Sequence, residues 1–220
     1  MQWHGNMMMK FTATDSATLA TIMRWRRDVR HFRTDPLPSD ILERLRAAMD
    51  TAPSVGNARP WRVIRVRDVR LRAAVRADFE ACNAAALAKY DGSQAEAYAR
   101  LKLAGLDAAP EHLAVFTATD PAEGHGLGRQ TMPETLRQST AMAVYALWLA
   151  ARAENLGLGV VSILDPRRME RLFPAMGDQA SQTWEFSAYL CLGYPENDDD
   201  VPLLHREDWQ SNQLTNWTER

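Results

Sequence analysis

Residues 134–164 read ETLRQSTAMAVYALWLAARAENLGLGVVSIL, a long run of helical period followed at once by a short apolar run. Val144, Leu147, Trp148 and Ala151 fall on one helical face, so Glu134–Asn155 is expected to be the dominant helix. Gly157 and Gly159 are read as its terminators. Val160–Leu164 then reads as a short buried strand. Working upstream, Asp120–Pro133 is a connection whose Gly124, Gly126 and Gly128 suit turns, and their spacing is not a dinucleotide fingerprint. Leu113–Ala118 reads as a strand, preceded by helices over Leu71–Ala88 and Ser93–Leu106 with the Asp91-Gly92 break between them. WRVIRVR, from Trp61, reads as another strand. Ser39 can cap a helix carrying Ile41, Leu42, Leu45 and Met49, which must end before Pro53. A first amphipathic helix covers Ser16–Arg27. Downstream, Pro166 can start a helix, and Trp184–Leu192 is the last core strand. Consecutive helices interrupt any regular βαβ alternation, so the chain is expected to be α+β, with a small mixed or antiparallel sheet flanked by helices. The expected division is a variable leader over 1–15, one domain over 16–197 and an extension over 198–220.

Composition narrows the function classes. The 220 residues are 46% hydrophobic, enough for a substantial core. With 26 basic and 28 acidic residues the formal charge is -2, which offers no global attraction to nucleic acid or to an anionic membrane surface. The uncharged segment Ala141–Ala151 is too short to span a bilayer. The start, MQWHGNMMMKFTATDS, lacks the continuous apolar run of a secretory signal, so a cytoplasmic location is expected. Cys82 and Cys191 form no CxxC pattern and read as two reduced, buried thiols. The five histidines are scattered, and no metal site is expected.

Three stretches could carry chemistry. RWRRDVRHFR, residues 24–33, places five arginines around Asp28. Guanidinium groups match phosphate oxygens and keep their charge, which argues for an anion pocket. A solvated basic surface with an internal Arg–Asp pair explains the same residues about equally well. APSVGNARPW, residues 52–61, offers the Ser54 hydroxyl and the close backbone approach that Gly56 permits. Taken alone it reads more simply as a loop between helix and strand. In LGLGVVSIL the Ser162 hydroxyl needs a partner inside an apolar strand, either a core neighbour or a buried ligand. No GxSxG elbow accompanies these serines.

Together RRDVRHF, APSVGNARPW, KLAGLDAAP, Gly128-Arg129, AVYALWLAARAENLGLGVVSI and YLCLGYP resemble the flavin-destructase branch of the nitroreductase-like family, from about Thr21 to Pro195. General members commonly carry serine where this chain has Asp28. The resemblance implies the nitroreductase-like fold and a homodimer with FMN between the subunits. It implies that Arg26, Arg27 and Arg30 hold the phosphate and the flavin, with Asp28 and Val29 beside them. Ser54 and Gly56 would contribute from the next loop, and Ser139 would face the cofactor. Asp28 and Ser162 would be the catalytic pair, Asp28 transferring protons or orienting groups and Ser162 bonding an intermediate or positioning Asp28.

The implied reaction consumes reduced FMN with molecular oxygen, giving 5,6-dimethylbenzimidazole, the lower ligand of cobalamin, and erythrose 4-phosphate. NAD(P)H would supply electrons through a separate flavin reductase. Tyr90–Leu106 would be a lid or dimer packing. Arg59 and Arg62 depart from the family pattern, and no phosphate contact is carried onto Arg206. Asn197–Asp200 reads as a solvated acidic run, and the tail with Trp209 and Trp217 would wrap a subunit or cover a site. Two other functions fit the same residues: an NAD(P)H-dependent flavin reductase or nitroreductase that keeps its FMN, and a non-enzymatic flavin-binding protein.

Overall fold

Strand pairing organises the chain in the computed structural model, which describes residues 9–174 and 183–219; the first eight residues of the expected leader lie outside the described residues. Four strands, β1 (Trp61–Arg65), β2 (Glu111–Ala118), β3 (Gly157–Val161) and β4 (Trp184–Gly193), form one sheet in the order β1-β2-β4-β3. All three pairings are antiparallel, with Val63 opposite Val115, Ala114 opposite Tyr189, and Gly159 opposite Cys191. The α+β architecture is therefore the antiparallel form of the expected sheet.

Period-two alternation feeds two cores. Ala114, Phe116, Tyr189 and Cys191 point to one face, where they meet Val75, Met169 and Phe173. Val115, Leu190 and Leu192 point to the other, against Leu45, Met49, Leu147 and Ala151. Helices cover both faces: α3 (Val69–Leu87) and α6 (Pro166–Leu172) on the first, α2 (Ser39–Asp50) and α5 (Thr135–Ala153) on the second. The remaining helices are α1 (Ala13–Trp25), α4 (Gly92–Arg100) and α7 (Leu203–Arg206). A capping box between Thr12 and Asp15 starts α1 three residues earlier than its apolar pattern predicts. Pro38, not Ser39, occupies the N-cap of α2. The expected helix over Ser93–Leu106 stops at Arg100, where the chain turns extended at Leu101.

The largest departure concerns the two glycines after α5. The helix is reversed by Asn155, at φ 58, a residue that tolerates the left-handed region. Gly157 and Gly159 are thereby freed to lie inside β3, which ends at Val161. Ser162 falls just beyond the strand and is exposed, so it is not the core serine that the apolar pattern predicts. Glycine is required there because Val29 crosses the strand: a Cβ at Gly159 would lie 2.1 Å from the Val29 carbonyl oxygen, and one at Gly157 would lie 2.8 Å from its Cγ2. Cys191 is buried as expected, whereas Cys82 is only half-buried.

The core holds a titratable pair. His112 Nδ1 lies 3.0 Å from the Tyr189 hydroxyl, and both side chains are fully buried. Burial, helped by the positive charge of Arg72, pushes the His112 pKa down to about 4 from 6.5. Below pH 6.5 the unfolded chain binds a proton that the folded chain refuses. The stability due to neutral His112 is therefore complete above that pH and lost as the pH falls toward 4. Between pH 7 and pH 5 this group alone should remove about 2 kcal/mol. Denaturant titrations at the two pH values should show the loss in the parent chain and a clearly smaller one in His112→Gln. An unchanged pH difference in that variant would contradict the assignment.

Candidate active site

The arginine motif leaves α1 as an extended segment and docks on the free edge of β3. The Val29 amide donates to the Leu158 carbonyl at 3.1 Å, and Asp28 forms a parallel bridge with Leu158. The Asp28 side chain completes the seat. Its Oδ1 accepts from the Val160 amide at 2.8 Å and its Oδ2 from Arg30 Nε at 2.9 Å. Arg30 reaches on to the Lys102 carbonyl at 3.0 Å, tying Asp28 to the chain that follows α4. With its side chain only 12% exposed, Arg30 is committed inward. The Asp28 carboxylate is thus held through both oxygens. Ser162 does not hold this carboxylate: Val160 and Arg30 do.

The other arginines face outward from the seat. The Arg27 guanidinium donates to the Asp200 carbonyl, through Nε at 2.6 Å and also through Nη2, and to the Arg26 carbonyl at 2.8 Å. Burial, and then the adjacent Arg26, lower the Arg27 pKa, opposed by Asp200 and Asp199. An arginine stays charged under such crowding, so the pocket has a standing demand for negative charge. The Arg26 guanidinium carbon lies 4.6 Å from the Trp148 ring centroid and 6.0 Å from that of Tyr145, within cation–π range. Its buried Nε has no hydrogen-bond partner among the described residues. A small cavity of about 70 Å³ sits here, lined by Arg27, Asp28, Arg30, Arg152 and Arg206 among others. Tyr145 and Trp148 also line a larger cavity of about 820 Å³, together with Thr140, Trp184 and Phe186.

The second motif lies elsewhere. Ser54 Oγ accepts from the Arg59 amide at 3.0 Å and closes a tight turn over Val55–Asn57. Gly56, at φ 58, would place a Cβ 2.9 Å from the Gly124 carbonyl oxygen, so it serves close loop–loop packing. Ser139 is buried and fully engaged, accepting from the Val55 amide at 3.0 Å and donating to the Thr135 carbonyl at 2.6 Å. It positions the Ser54 loop. That loop is pinned near the start of α5, whereas Trp148, farther along, donates to the Arg27 carbonyl at 3.2 Å. Nine helical residues separate the two anchors, roughly 13 Å along the axis. A single subunit therefore keeps the two predicted halves of the site apart.

Two features were visible in the sequence without their partners. The acidic run is not simply solvated: Asp198, Asp199 and Asp200 pair with Arg152, Arg206 and Arg24. Arg206, to which no role was assigned, lines the small cavity. In addition Trp209 packs edge-on against Tyr90 and Tyr98, at 5.6 and 6.0 Å, so the tail clasps α4. Of the unusual arginines, Arg62 stacks over Trp184 and Arg59 lies 4.0 Å from Asp50.

Residues 23–194 match the nitroreductase family, and the chain belongs to it. The match includes the Asp28 seat, α5 and all four strands. Among curated proteins, the chain is 61% identical to a 5,6-dimethylbenzimidazole synthase of Rhodobacter capsulatus, over 96% of this chain and 100% of that one. Among solved structures, it resembles iodotyrosine deiodinase bound to FMN and 3-iodo-L-tyrosine, with a TM-score of 0.68 and 23% identity, over 92% of this chain and 97% of that one. It also resembles a BluB-like flavoprotein from Clostridium difficile 630, with a TM-score of 0.64 and 18% identity, over 84% and 93% of the respective chains. The structural likenesses establish the fold alone.

The seat depends on the bare face of Gly159. Gly159→Ala must push Val29 off β3 and break the Asp28 contacts, at a cost of about 3 kcal/mol. Gly92→Ala is the control, because at φ +53 a Cβ there meets nothing within 4 Å; backbone strain alone should cost about 1 kcal/mol. Denaturant unfolding of both variants tests this, and equal costs would refute the crossing contact.

Proposed function

We propose that this chain is a 5,6-dimethylbenzimidazole synthase, an oxidoreductase that binds reduced FMN as a substrate and, with molecular oxygen, converts it to 5,6-dimethylbenzimidazole and erythrose 4-phosphate. The observation that carries the reading is the fixed carboxylate of Asp28 inside the arginine cluster, with both oxygens engaged. Near-complete alignment at 61% identity with a protein of that name supports it.

The residues present fit FMN. Arg27 and its neighbours form a cationic pocket for a phosphate, and Arg26 offers a buried N–H without an internal acceptor. When bound, the flavin supplies the electrons and the carbon skeleton of the product. The protein's part is to bind, orient and exclude. Arg26, held over the Trp148 and Tyr145 rings, places a charge beside whatever ring lies along Trp148. Asp28 sets the register of this segment against β3 and presents a fixed negative charge beside the ligand, suited to orienting a hydroxyl or receiving a proton. In this reading Ser162, exposed two residues beyond Val160, bonds the ligand rather than Asp28.

Two subunits complete the site in this reading. Met142 and Tyr145 are exposed on α5, an apolar face that a second copy can cover. Antiparallel packing of two such helices would bring the arginine end of one chain toward the Ser54 end of the other, closing the gap of roughly 13 Å estimated from helical rise. The segment Tyr90–Leu106 acts as the lid, bonded to Arg30 at Lys102 and clasped by Trp209. A closed lid keeps external acceptors from draining the reduced flavin. Electrons come from NAD(P)H through a separate flavin reductase, and the protein works in the cytoplasm.

The test is anaerobic loading with reduced FMN followed by oxygen and product analysis. One flavin should disappear for each 5,6-dimethylbenzimidazole formed, and Ser162→Ala should lower the yield at least tenfold while binding FMN normally. Return of intact FMN by the parent chain, or rapid NAD(P)H oxidation coupled to dye reduction, would refute the assignment in favour of a flavin reductase.

A further inference from the structure

The acidic run beside the arginines is built into the site. Arg24, Arg27, Arg152 and Arg206 converge on residues 198–200, and each finds its acceptor there. Arg152 pairs with Asp198 at 2.9 Å. Arg206 pairs with Asp199, and Arg24 with the Asp200 carboxylate. Arg27 grips the Asp200 backbone carbonyl through two nitrogens. The Val201 amide donates to Asp199 Oδ1 at 2.8 Å, which fixes the turn presenting these groups. Asp199 and Asp200 are about three-quarters buried by their side chains, at 28% and 23% exposure, so they are seated in the cluster and not merely near it. Asp198 and Asp199 thus face Arg27, Arg152 and Arg206 in the lining of a cavity of about 70 Å³, too small for a sugar phosphate.

We propose that Asp199 and Asp200 are an internal anion that occupies the phosphate-binding arginines and must be displaced by the ligand's phosphate, making them determinants of specificity for phosphorylated over unphosphorylated flavin. The inference rests on the flavin reading for the identity of the ligand, and on the arginine geometry for the displacement. The exchange is balanced in charge: a phosphate monoester carries nearly two negative charges near neutral pH and three acceptor oxygens, and can satisfy several guanidinium groups at once. Half-exposed ion pairs such as Arg206–Asp199 are individually weak, so they can be given up. A flavin without a phosphate has nothing to offer in exchange and faces a closed pocket.

Calorimetric titration of the full-length parent and of the D199N/D200N double variant, using inorganic phosphate, FMN and riboflavin in turn, tests this. Neutralising the internal anion should tighten phosphate and FMN by roughly tenfold and leave riboflavin within about twofold. Weaker or unchanged phosphate binding overturns the proposal, as does equal tightening of FMN and riboflavin. Tighter phosphate with no flavin bound by either protein sustains the displacement and refutes the flavin reading instead. Hydrogen exchange on the unaltered protein gives a second readout that needs no variant to fold. Amides of 198–201 should exchange faster when phosphate is added, and slower exchange would overturn the proposal.

Discussion

Asp28 would ordinarily repel nothing and attract every neighbour in a run of five arginines, and a floppy basic surface would be the result. Its two oxygens are instead divided between Arg30 and the Val160 amide. That division pins an irregular segment to the open edge of the sheet, sends Arg30 inward to Lys102, and leaves Arg27 in the wall of a cationic pocket. The bare faces of Gly157 and Gly159 let the segment lie close enough for these bonds to form. Without this one carboxylate, Arg30 would be left buried without its ionic partner, a state that costs more than the pair is worth. Fold and site therefore share a single electrostatic constraint.

The same constraint explains why the two halves of the expected flavin site are separated. α5 serves as a ruler: its early residues hold the Ser54 loop through Ser139, and Trp148 holds the arginine segment through the Arg27 carbonyl. In the proposed dimer, a site using both halves draws them from two chains. The exposed apolar face between the two anchors fits that requirement.

Much of the fold was legible because hydrophobic period reports burial directly. The strands around Ala114–Phe116 and Tyr189–Leu192 are buried on both faces, and α5 shows its stripe plainly. The position of β3 was not legible, because Gly157 and Gly159 have the same chemistry whether they stop a helix or accommodate a crossing segment. Only the approach of Val29, 128 residues away in sequence from Gly157, distinguishes the two. Asp28 could be picked out as the unusual residue in its motif, but its partners could not, since one of them is a backbone amide with no side-chain identity. The pairing of Asp198–Asp200 with Arg24, Arg152 and Arg206 was hidden for a related reason. A charge run looks alike in solvent and in a pocket, and only the fold decides which arginines surround it.

In the proposed reaction Asp28 separates consuming FMN from merely using it. Asp28→Ser probes that role without an intermediary, because serine is what general nitroreductases commonly carry there. A single-turnover measurement would load this variant with reduced FMN, admit oxygen, and quantify intact flavin against 5,6-dimethylbenzimidazole. The variant should bind the flavin and return it intact. Formation of the benzimidazole at the parental yield would show that the carboxylate is dispensable and that the distinction lies elsewhere.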